Sequence, residues 1–224
     1  MVENRRYELK LVFDRQRINE LRARILAHPD VFGVAYPRRQ VNNIYFDTQD
    51  FQFWTDHVAG SAVRAKLRFR WYGGSWAVNE GQLERKVKMG DAGYKLIKPI
   101  HASFDLSRHC WRDVIRIITQ NITPDFEPMF GSLIPTVINL YQREYFVSRD
   151  GVVRVTLDYD MAVFEQTSRL TPNIRYQKPV QQAVILEMKV PVNEYQRASS
   201  AMAGFPLYRR QYSKYLDAME NLPG

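Results

Sequence analysis

The segment from 61 to 88 carries the residues whose types and spacing most clearly suggest a binding or catalytic site. Between Val63 and Trp71, basic and apolar residues alternate without a break. Side chains on a strand point alternately to its two faces, so this period predicts one cationic face and one apolar face. The residues of the cationic parity are Arg64, Lys66, Arg68 and Arg70. Such a row repels itself unless water or an anion neutralises it, so it fits either a solvated sheet face or a polyanion site.

A second predicted strand returns alongside the first. Gly73 and Gly74 supply a turn that tolerates positive φ. On the return strand the residues of one parity are Gln82, Glu84, Lys86 and Lys88. Cations with an interspersed carboxylate therefore face the same side of the predicted hairpin.

The same arrangement recurs along the chain, on strands that are apolar on the other parity. These further charged positions are Glu8, Lys10, Arg143, Arg154, Asp158, Glu187 and Lys189. About eight such strands with hairpin signals predict an antiparallel sheet that closes into a β-barrel with flanking helices, an α+β fold. If the apolar rows pack outward, the charged rows point inward. Because isolated buried charges are costly, this is reasonable only for a wet channel holding a highly charged ligand.

The chemistry of those side chains limits the kinds of ligand that the channel could bind. Arginine forks bind phosphate oxygens, lysines add point charge, and carboxylates hold hard cations such as Mg²⁺ or Mn²⁺. A phosphate chain with a divalent metal would use all three.

The elements that must position these residues can be read from periodicity and caps. Strands are predicted over 6–13, 41–48, 63–71, 136–148, 152–160 and 183–190, with a short strand within 90–100. Helices are predicted after Asp14, over 104–119 with a cap at Asp105 or Ser107, over 193–203, and over 213–221. The first helix would bury Ile18, Leu21, Ile25 and Leu26, and the second Leu106, Cys110, Val114 and Ile117.

Composition bounds the class of protein. The 224 residues are 45% hydrophobic and carry a formal net charge of +8. This suits a single domain over 1–224 with a C-terminal helix at about 212–221. No apolar run approaches the roughly 20 residues of a membrane span, no signal peptide is apparent, and Cys110 is alone. The cytoplasm is the expected compartment.

Short motifs in a fixed order resemble a known family. They are YELK (Tyr7–Lys10), YFDT (Tyr45–Thr48), LRFRWYG (Leu67–Gly73), ERK (Glu84–Lys86), YQR (Tyr141–Arg143), VRVTLD (Val153–Asp158), LEMK (Leu186–Lys189) and YSKY (Tyr212–Tyr215). Together they resemble the VTC domain, the polyphosphate polymerase branch of the CYTH or triphosphate tunnel metalloenzyme superfamily. The resemblance runs from about Arg5 to Leu216.

The resemblance implies a closed tunnel of about eight antiparallel strands that moves the γ-phosphoryl of ATP onto a growing polyphosphate chain. The implied phosphate-binding cations are Lys10, Arg68, Arg70, Lys86, Arg143, Arg154, Lys189 and Lys214. Mg²⁺ or Mn²⁺ would be held by Glu187, with Glu8 the next candidate. Glu84 and Asp158 would pair with neighbouring cations and fix their rotamers. Arg64 and Lys66 share the parity of Arg68 and Arg70 and would line the tunnel mouth, and Lys88 is a further candidate for ligand binding. ATP and polyphosphate or triphosphate are the expected partners, and a membrane-protein partner would be needed for any export of the product.

Two alternatives stay open from the residues alone. If water replaces the phosphate acceptor, the same site hydrolyses inorganic or nucleoside triphosphate. A non-catalytic binder of polyphosphate or nucleic acid is the second alternative, although nucleic acid is not expected, because Phe69 and Trp71 face away from the arginines and cannot stack bases beside them.

The four histidines show no metal-ligand spacing, and no Walker motif is present.

Overall fold

The computed structural model describes residues 6–90, 92–122, 130–202, 205 and 213–220. These ranges hold eight strands and five α-helices, numbered here in chain order. The strands are β1 (Arg6–Asp14), β2 (Gly33–Thr48), β3 (Val63–Tyr72), β4 (Ala77–Met89), β5 (Ala92–Asp105), β6 (Leu133–Val147), β7 (Arg154–Glu165) and β8 (Ala183–Pro191). The helices are α1 (Ile18–Leu26), α2 (Gln52–Val58), α3 (Trp111–Thr119), α4 (Tyr195–Met202) and α5 (Lys214–Glu220).

The eight strands form one sheet in the order β1-β8-β7-β6-β2-β3-β4-β5. Registered pairing is antiparallel between β1 and β8, β7 and β8, β2 and β3, β3 and β4, and β4 and β5. The predicted eight-stranded antiparallel sheet is confirmed. Among the described residues the strand order has two ends, β1 and β5, so closure into a barrel stays a prediction.

Contacts group the chain into two compact units. The first unit contains 1–39, 141–161 and 181–212, and the second contains 40–140, 162–180 and 213–224. The long strands β2, β6 and β7 therefore contribute residues to both. Each unit has its own apolar core and is described separately.

The core of the first unit is built from alternate residues of β1, β7 and β8 packed against α1. Leu11 is fully buried, as are Leu157 and Leu186. From α1, Ile18, Leu21 and Ile25 pack against them, which confirms the predicted stripe at three of its four positions. The prediction for Leu26 was wrong: it is 57% exposed, because it falls outside the arc of the helix that faces the strands.

The core of the second unit uses the apolar parity of β3. Leu67, Phe69 and Trp71 are at most 2% exposed and belong to the same cluster as Trp111 and Val114 of α3. The opposite parity of β3 carries the arginines. The predicted division of this strand into an apolar and a cationic face is thus confirmed.

Helix α3 begins at Trp111, not near 104 as predicted. Strand β5 continues to Asp105, which pairs with Ala77 of β4, so these residues belong to a ladder. Asp105 then closes a turn by accepting hydrogen bonds from the backbone N–H and hydroxyl of Ser107, at 2.8 and 2.6 Å. The predicted cap is therefore a turn, and the buried residues of the helix are Trp111, Val114 and Ile118.

Strand β2 begins at Gly33, eight residues before the predicted start at Val41. Its first half contains Pro37 and is largely exposed, so it lacks the alternation by which a half-buried strand is recognised.

None of the helices in the described ranges is long and apolar enough to cross a membrane.

A glycine in β4 gives the β3–β4 pair its close contact. A Cβ on Gly81 would lie 2.3 Å from the Phe69 ring and 2.7 Å from the Arg70 carbonyl oxygen. We expect Gly81→Ala to lower the free energy of unfolding by about 1–3 kcal/mol through overpacking, measured by urea denaturation. Gly74→Ala, where a Cβ meets nothing within 4 Å, is the matched control and should change it by about 0.5 kcal/mol or less. Equal effects of the two variants would contradict this account.

Candidate functional site

The β3–β4 hairpin carries the cationic face of the second unit. The strand register places Arg64 opposite Lys88, Lys66 opposite Lys86, and Arg68 opposite Glu84. Residues directly opposite on antiparallel strands share a face, so the two basic rows predicted from the sequence are brought together.

Glu84 is the carboxylate at the centre of this face, and it is only 3% exposed. Its Oε2 accepts hydrogen bonds from Arg68 Nη2 at 2.7 Å and Nε at 3.1 Å. Lys95 Nζ lies 2.8 Å from the same oxygen, and Arg70 Nη1 lies 3.3 Å from Oε1. One buried negative charge thus orients three cations.

Electrostatics keep Glu84 ionised. Burial opposes ionisation, but the charges of Arg68, Arg70 and Lys95 hold the pKa of the Glu84 carboxyl well below its ordinary value. Three cations therefore surround this one carboxylate.

Lys95 was not among the predicted site residues. It stands on β5, and the β4–β5 register sets it opposite Lys86, beside the Glu84 row. The segment from 90 to 100 was predicted to be a loop with a short strand, so the parity that places Lys95 on this face was not apparent. Lys95 could have been found by aligning the alternating residues of the 90–100 segment with those of the neighbouring strand β4.

The two arginines are also fixed by neutral partners on β2. Arg70 Nε donates to Asn43 Oδ1 at 2.9 Å, and Asn43 in turn donates to Asn139 Oδ1 of β6 at 2.8 Å. Arg68 Nη1 donates to the Tyr45 hydroxyl at 3.2 Å. These contacts leave each guanidinium one defined orientation.

Helix α5 and the residue before it meet the same face. Lys66 Nζ donates to Ser213 Oγ at 2.7 Å, and the Tyr215 ring stacks on Tyr45 with centroids 4.9 Å apart. The Tyr215 hydroxyl donates to Asp47, which is fully buried. The predicted site residue Lys214 is the first residue of this helix and is half-buried.

Asp47 has a further task, which sequence reasoning missed. Its oxygens accept from the backbone N–H groups of Phe53 at 2.8 Å and Trp54 at 2.9 Å. A carboxylate in that position caps the N-terminus of α2. The YFDT motif therefore links α2, α5 and the cationic face through one side chain.

The first unit has a charged face of its own, formed by β1 and β8, on which two lysines meet two glutamates. The register sets Lys10 opposite Glu187 and Glu8 opposite Lys189. Lys189 Nζ lies 2.7 Å from Glu187 Oε1, and Lys10 Nζ lies 3.9 Å from Glu187 Oε2. Both ammonium groups also approach Glu8 Oε1, at 3.7 and 3.8 Å.

Glu187 is the buried carboxylate of this face, at 5% exposure. Burial opposes its ionisation, but a hydrogen bond with Glu8 and the charges of Lys189, Lys10 and Arg143 hold the pKa of Glu187 well below its ordinary value. Two carboxyl groups thus meet among three cations.

Arg143 and Asp158 form a separate pair between β6 and β7. Arg143 Nε and Nη2 donate to the two oxygens of Asp158, at 2.5 and 2.6 Å. Burial disfavours the guanidinium charge, but Asp158 raises the pKa of Arg143 well above its ordinary value. As expected, Asp158 fixes the arginine. Its bidentate contact leaves the Nη1 group of Arg143 for another acceptor.

The remaining predicted residues lie at the edges of these faces. Arg154 is exposed and stands opposite Lys189 in the register. Arg64 is half-buried, and Lys86 and Lys88 are exposed. Within the described ranges, no salt bridge within 4.0 Å joins Arg64, Lys88 or Arg154 to a carboxylate.

The fit of a divalent metal rests on Glu8 and Glu187. Both carboxylates approach the ammonium groups of Lys10 and Lys189, so they lie on one face of β1 and β8. Mg²⁺ and Mn²⁺ in phosphoryl-transfer sites use one or two carboxylates together with substrate phosphates. The donor set therefore fits such an ion, although the described residues hold no cluster of three or more metal-ligating side chains.

The fold is an eight-stranded antiparallel sheet with helices, and its buried carboxylates are paired with cations, mostly of neighbouring strands. The chain belongs to the VTC-domain family, since the model of that family matches residues 5–222. This confirms the resemblance drawn from the eight motifs. No curated protein matches the sequence.

Solved structures match this chain at low sequence identity. A chain of the Schizosaccharomyces pombe Mediator head module matches with TM-score 0.50 at 11% identity, over 91% of this chain and 97% of that chain, and this likeness concerns the fold alone. PH1819 from Pyrococcus horikoshii OT3 gives a TM-score of 0.49 at 12% identity, over 96% of both chains. The putative adenylyl cyclase HpAC1 from Hippeastrum, described as having a dominant triphosphatase activity, gives 0.47 at 15% identity, over 95% of this chain and 94% of that chain.

We expect Glu84→Gln to lower the free energy of unfolding by about 3 kcal/mol at pH 7, because three cations lose their buried counter-charge. Since Glu84 stays ionised far below its usual pKa of 4.5, wild type should lose this advantage as the pH falls below that value, and the two curves should converge. Urea denaturation across pH measures both effects. Glu80→Gln, at an exposed position of the same strand, is the control, and a pH-independent gap would contradict the assignment.

His57 offers a reporter of anion binding to the second unit. Burial, the largest cause, lowers the pKa of His57 to about 4 together with the positive charges of Lys66 and Arg64. The hydrogen bond from Nδ1 to the Phe53 carbonyl acts in the opposite direction and raises it. An anion that neutralises Lys66 and Arg64 should therefore raise this pKa towards 6.5. Imidazole NMR titration with and without inorganic triphosphate tests it, with sodium chloride at matched ionic strength as the control. An unchanged pKa at saturating triphosphate would exclude binding beside Lys66.

Proposed function

We propose that this protein is a metal-dependent phosphotransferase that moves the γ-phosphoryl group of ATP onto a polyphosphate chain. The observation that carries the proposal is the Glu84 cluster: one buried carboxylate holds Arg68, Arg70 and Lys95 in fixed orientations on one face of the sheet. Membership in the VTC-domain family supports the choice of substrate. Closure of the sheet into a barrel is part of the proposal.

The reaction needs little covalent chemistry from the protein. A terminal phosphate oxygen of the acceptor chain forms a bond to the γ-phosphorus, the bond to the β–γ bridging oxygen breaks, and ADP leaves. Catalysis of this kind is mostly positioning and stabilisation of charge. In the second unit, Arg68, Arg70, Lys86 and Lys95 would bind phosphate oxygens. Their hydrogen-bonded partners orient the arginines before the substrate arrives, so little reorganisation is needed.

The candidate residues of the first unit are further cations and the candidate metal ligands. Lys10, Lys189 and Arg154 would add positive charge, and Arg143 would use the donors that Asp158 leaves available. Glu187 and Glu8 would hold Mg²⁺ or Mn²⁺, which when bound neutralises negative charge on the phosphates.

The test is to incubate purified protein with ATP and Mn²⁺ and to resolve the products by gel electrophoresis and phosphorus NMR. We expect ADP and long-chain phosphate from wild type. Arg68→Ala, Arg154→Ala and Glu187→Gln should each lower turnover by about 100-fold or more, the scale seen when one charge-stabilising donor is removed. Arg112→Ala, an exposed residue of α3, is the control and should keep full activity.

The products discriminate between the alternatives. Free phosphate without polymer would replace the proposal by triphosphate hydrolysis, with water as the acceptor. Metal-independent binding of phosphate chains without turnover would indicate a binder. Full activity in both Arg68→Ala and Arg154→Ala, with circular dichroism showing intact folds, would overturn the residue assignment.

A further inference from the structure

The loop that follows β7 is fixed by buried side-chain amides. Asn173 Nδ2 donates to the carbonyls of Glu165 at 3.2 Å and Tyr176 at 3.0 Å, and its Oδ1 accepts from Tyr176 N at 2.9 Å. Gln166 exchanges two hydrogen bonds of 2.8 Å with the Asn173 backbone. Asn173 and Gln166 are at most 6% exposed. The loop therefore has one defined shape without helix or strand.

This rigid loop presents large side chains to solvent. Leu170 is 87% exposed and Tyr176 is 76% exposed, the two highest values among the large hydrophobic residues described. Between the loop and the 106–109 turn lies a groove of about 330 Å³, which includes Leu106, Ile174 and Tyr176 in its lining. Rigid aromatic and apolar side chains around a concave surface are typical of an interaction site.

The groove is strongly basic. Arg108, Arg169 and Arg175 line it together with His109, and none of its lining residues is acidic. Arg108 lies 3.6 Å from Asp105, and Arg169 lies 3.1 Å from Glu165, both carboxylates outside the lining. Within the described ranges, no carboxylate lies within ion-pair distance of Arg175. Its charge is available to a ligand.

The groove is separate from the cationic face of the second unit. Leu106 and Ile174 pack in the same apolar cluster as Leu67 and Phe69. These β3 residues have the parity opposite to Arg68 and Arg70, so the groove opens on the other side of the sheet from the Glu84 cluster. A ligand there need not compete with phosphate.

We propose that this groove docks an acidic segment of a partner protein that carries an apolar or aromatic anchor residue. The positive charge of the groove favours an acidic ligand. The apolar lining and the exposed Leu170 and Tyr176 stabilise only a ligand that buries apolar surface of its own against them. A phosphate chain has none. Because the loop is already ordered, docking costs little conformational entropy in it.

The experiment uses the full chain and fluorescence polarisation with labelled 12-residue peptides. One peptide is rich in Asp and Glu around a central Leu-Phe pair, a second has Ser in place of that pair, and a third keeps the pair but has Ser in place of the acids. The first should bind with Kd below about 1 mM and at least about tenfold more tightly than the other two. Arg175→Glu and Tyr176→Ala should each weaken it by at least about tenfold.

Arg112→Glu is the matched control, since Arg112 is exposed on α3 but does not line the groove, and it should change Kd by less than about twofold. All variants should bind inorganic triphosphate as wild type does. Absence of peptide binding, or equal binding by Arg175→Glu, would overturn the proposal. Two further outcomes would also replace it: displacement of the peptide by polyphosphate, which indicates a polyanion site, and self-association lost in Arg175→Glu, which indicates a second copy as the occupant.

Discussion

The sheet depends on buried carboxylates that are neutralised by cations from neighbouring strands. Glu84, Asp158 and Glu187 are each at most 5% exposed. An ionised carboxylate at that depth is too costly unless it is paired and hydrogen-bonded. Each of the three is: the partners are Arg68, Arg70 and Lys95 for Glu84, Arg143 for Asp158, and Lys189 with Lys10 for Glu187. The register of the antiparallel ladders places most of these partners opposite or beside their carboxylate, so the fold and the electrostatics specify the same pairing.

This arrangement also explains why the cations are suited to bind a ligand. A lone exposed arginine samples many rotamers and loses that freedom when it binds. Carboxylate, amide or phenol partners already hold Arg68, Arg70 and Arg143. Their side chains therefore lose rotamer entropy during folding and not when a ligand binds. Around Glu84 one carboxylate faces three cations, whereas in the first unit Glu8 and Glu187 face Lys10 and Lys189, and Asp158 faces Arg143. A buried ion pair is often no more stabilising than well-packed apolar side chains of similar volume, so stability alone does not account for these clusters.

The sequence was a good guide wherever one strand carried its own information. Alternation between Val63 and Trp71 predicted both faces of β3, and the order of short motifs predicted the family. It was a poor guide wherever the answer depended on another strand. Lys95 joins the site only through its pairing with β4, and Asp105 belongs to a strand only because Ala77 pairs with it. Asp47 looked like one residue of a motif, but its role depends on contacts with α2 and α5 that no local pattern encodes.

Asp47 shows how a site and its supporting helices can depend on a single group. Helices α2 and α5 have seven residues each, too few to be stable by themselves in water. One Asp47 carboxylate binds backbone donors at the start of α2 and the Tyr215 hydroxyl of α5, and Tyr215 stacks on Tyr45, which accepts a hydrogen bond from Arg68. The order of α5 and the orientation of Arg68 are therefore linked through two aromatic rings. A substitution at Asp47 would alter the candidate site without removing any cation from it, which is why this buried acid belongs to the candidate site.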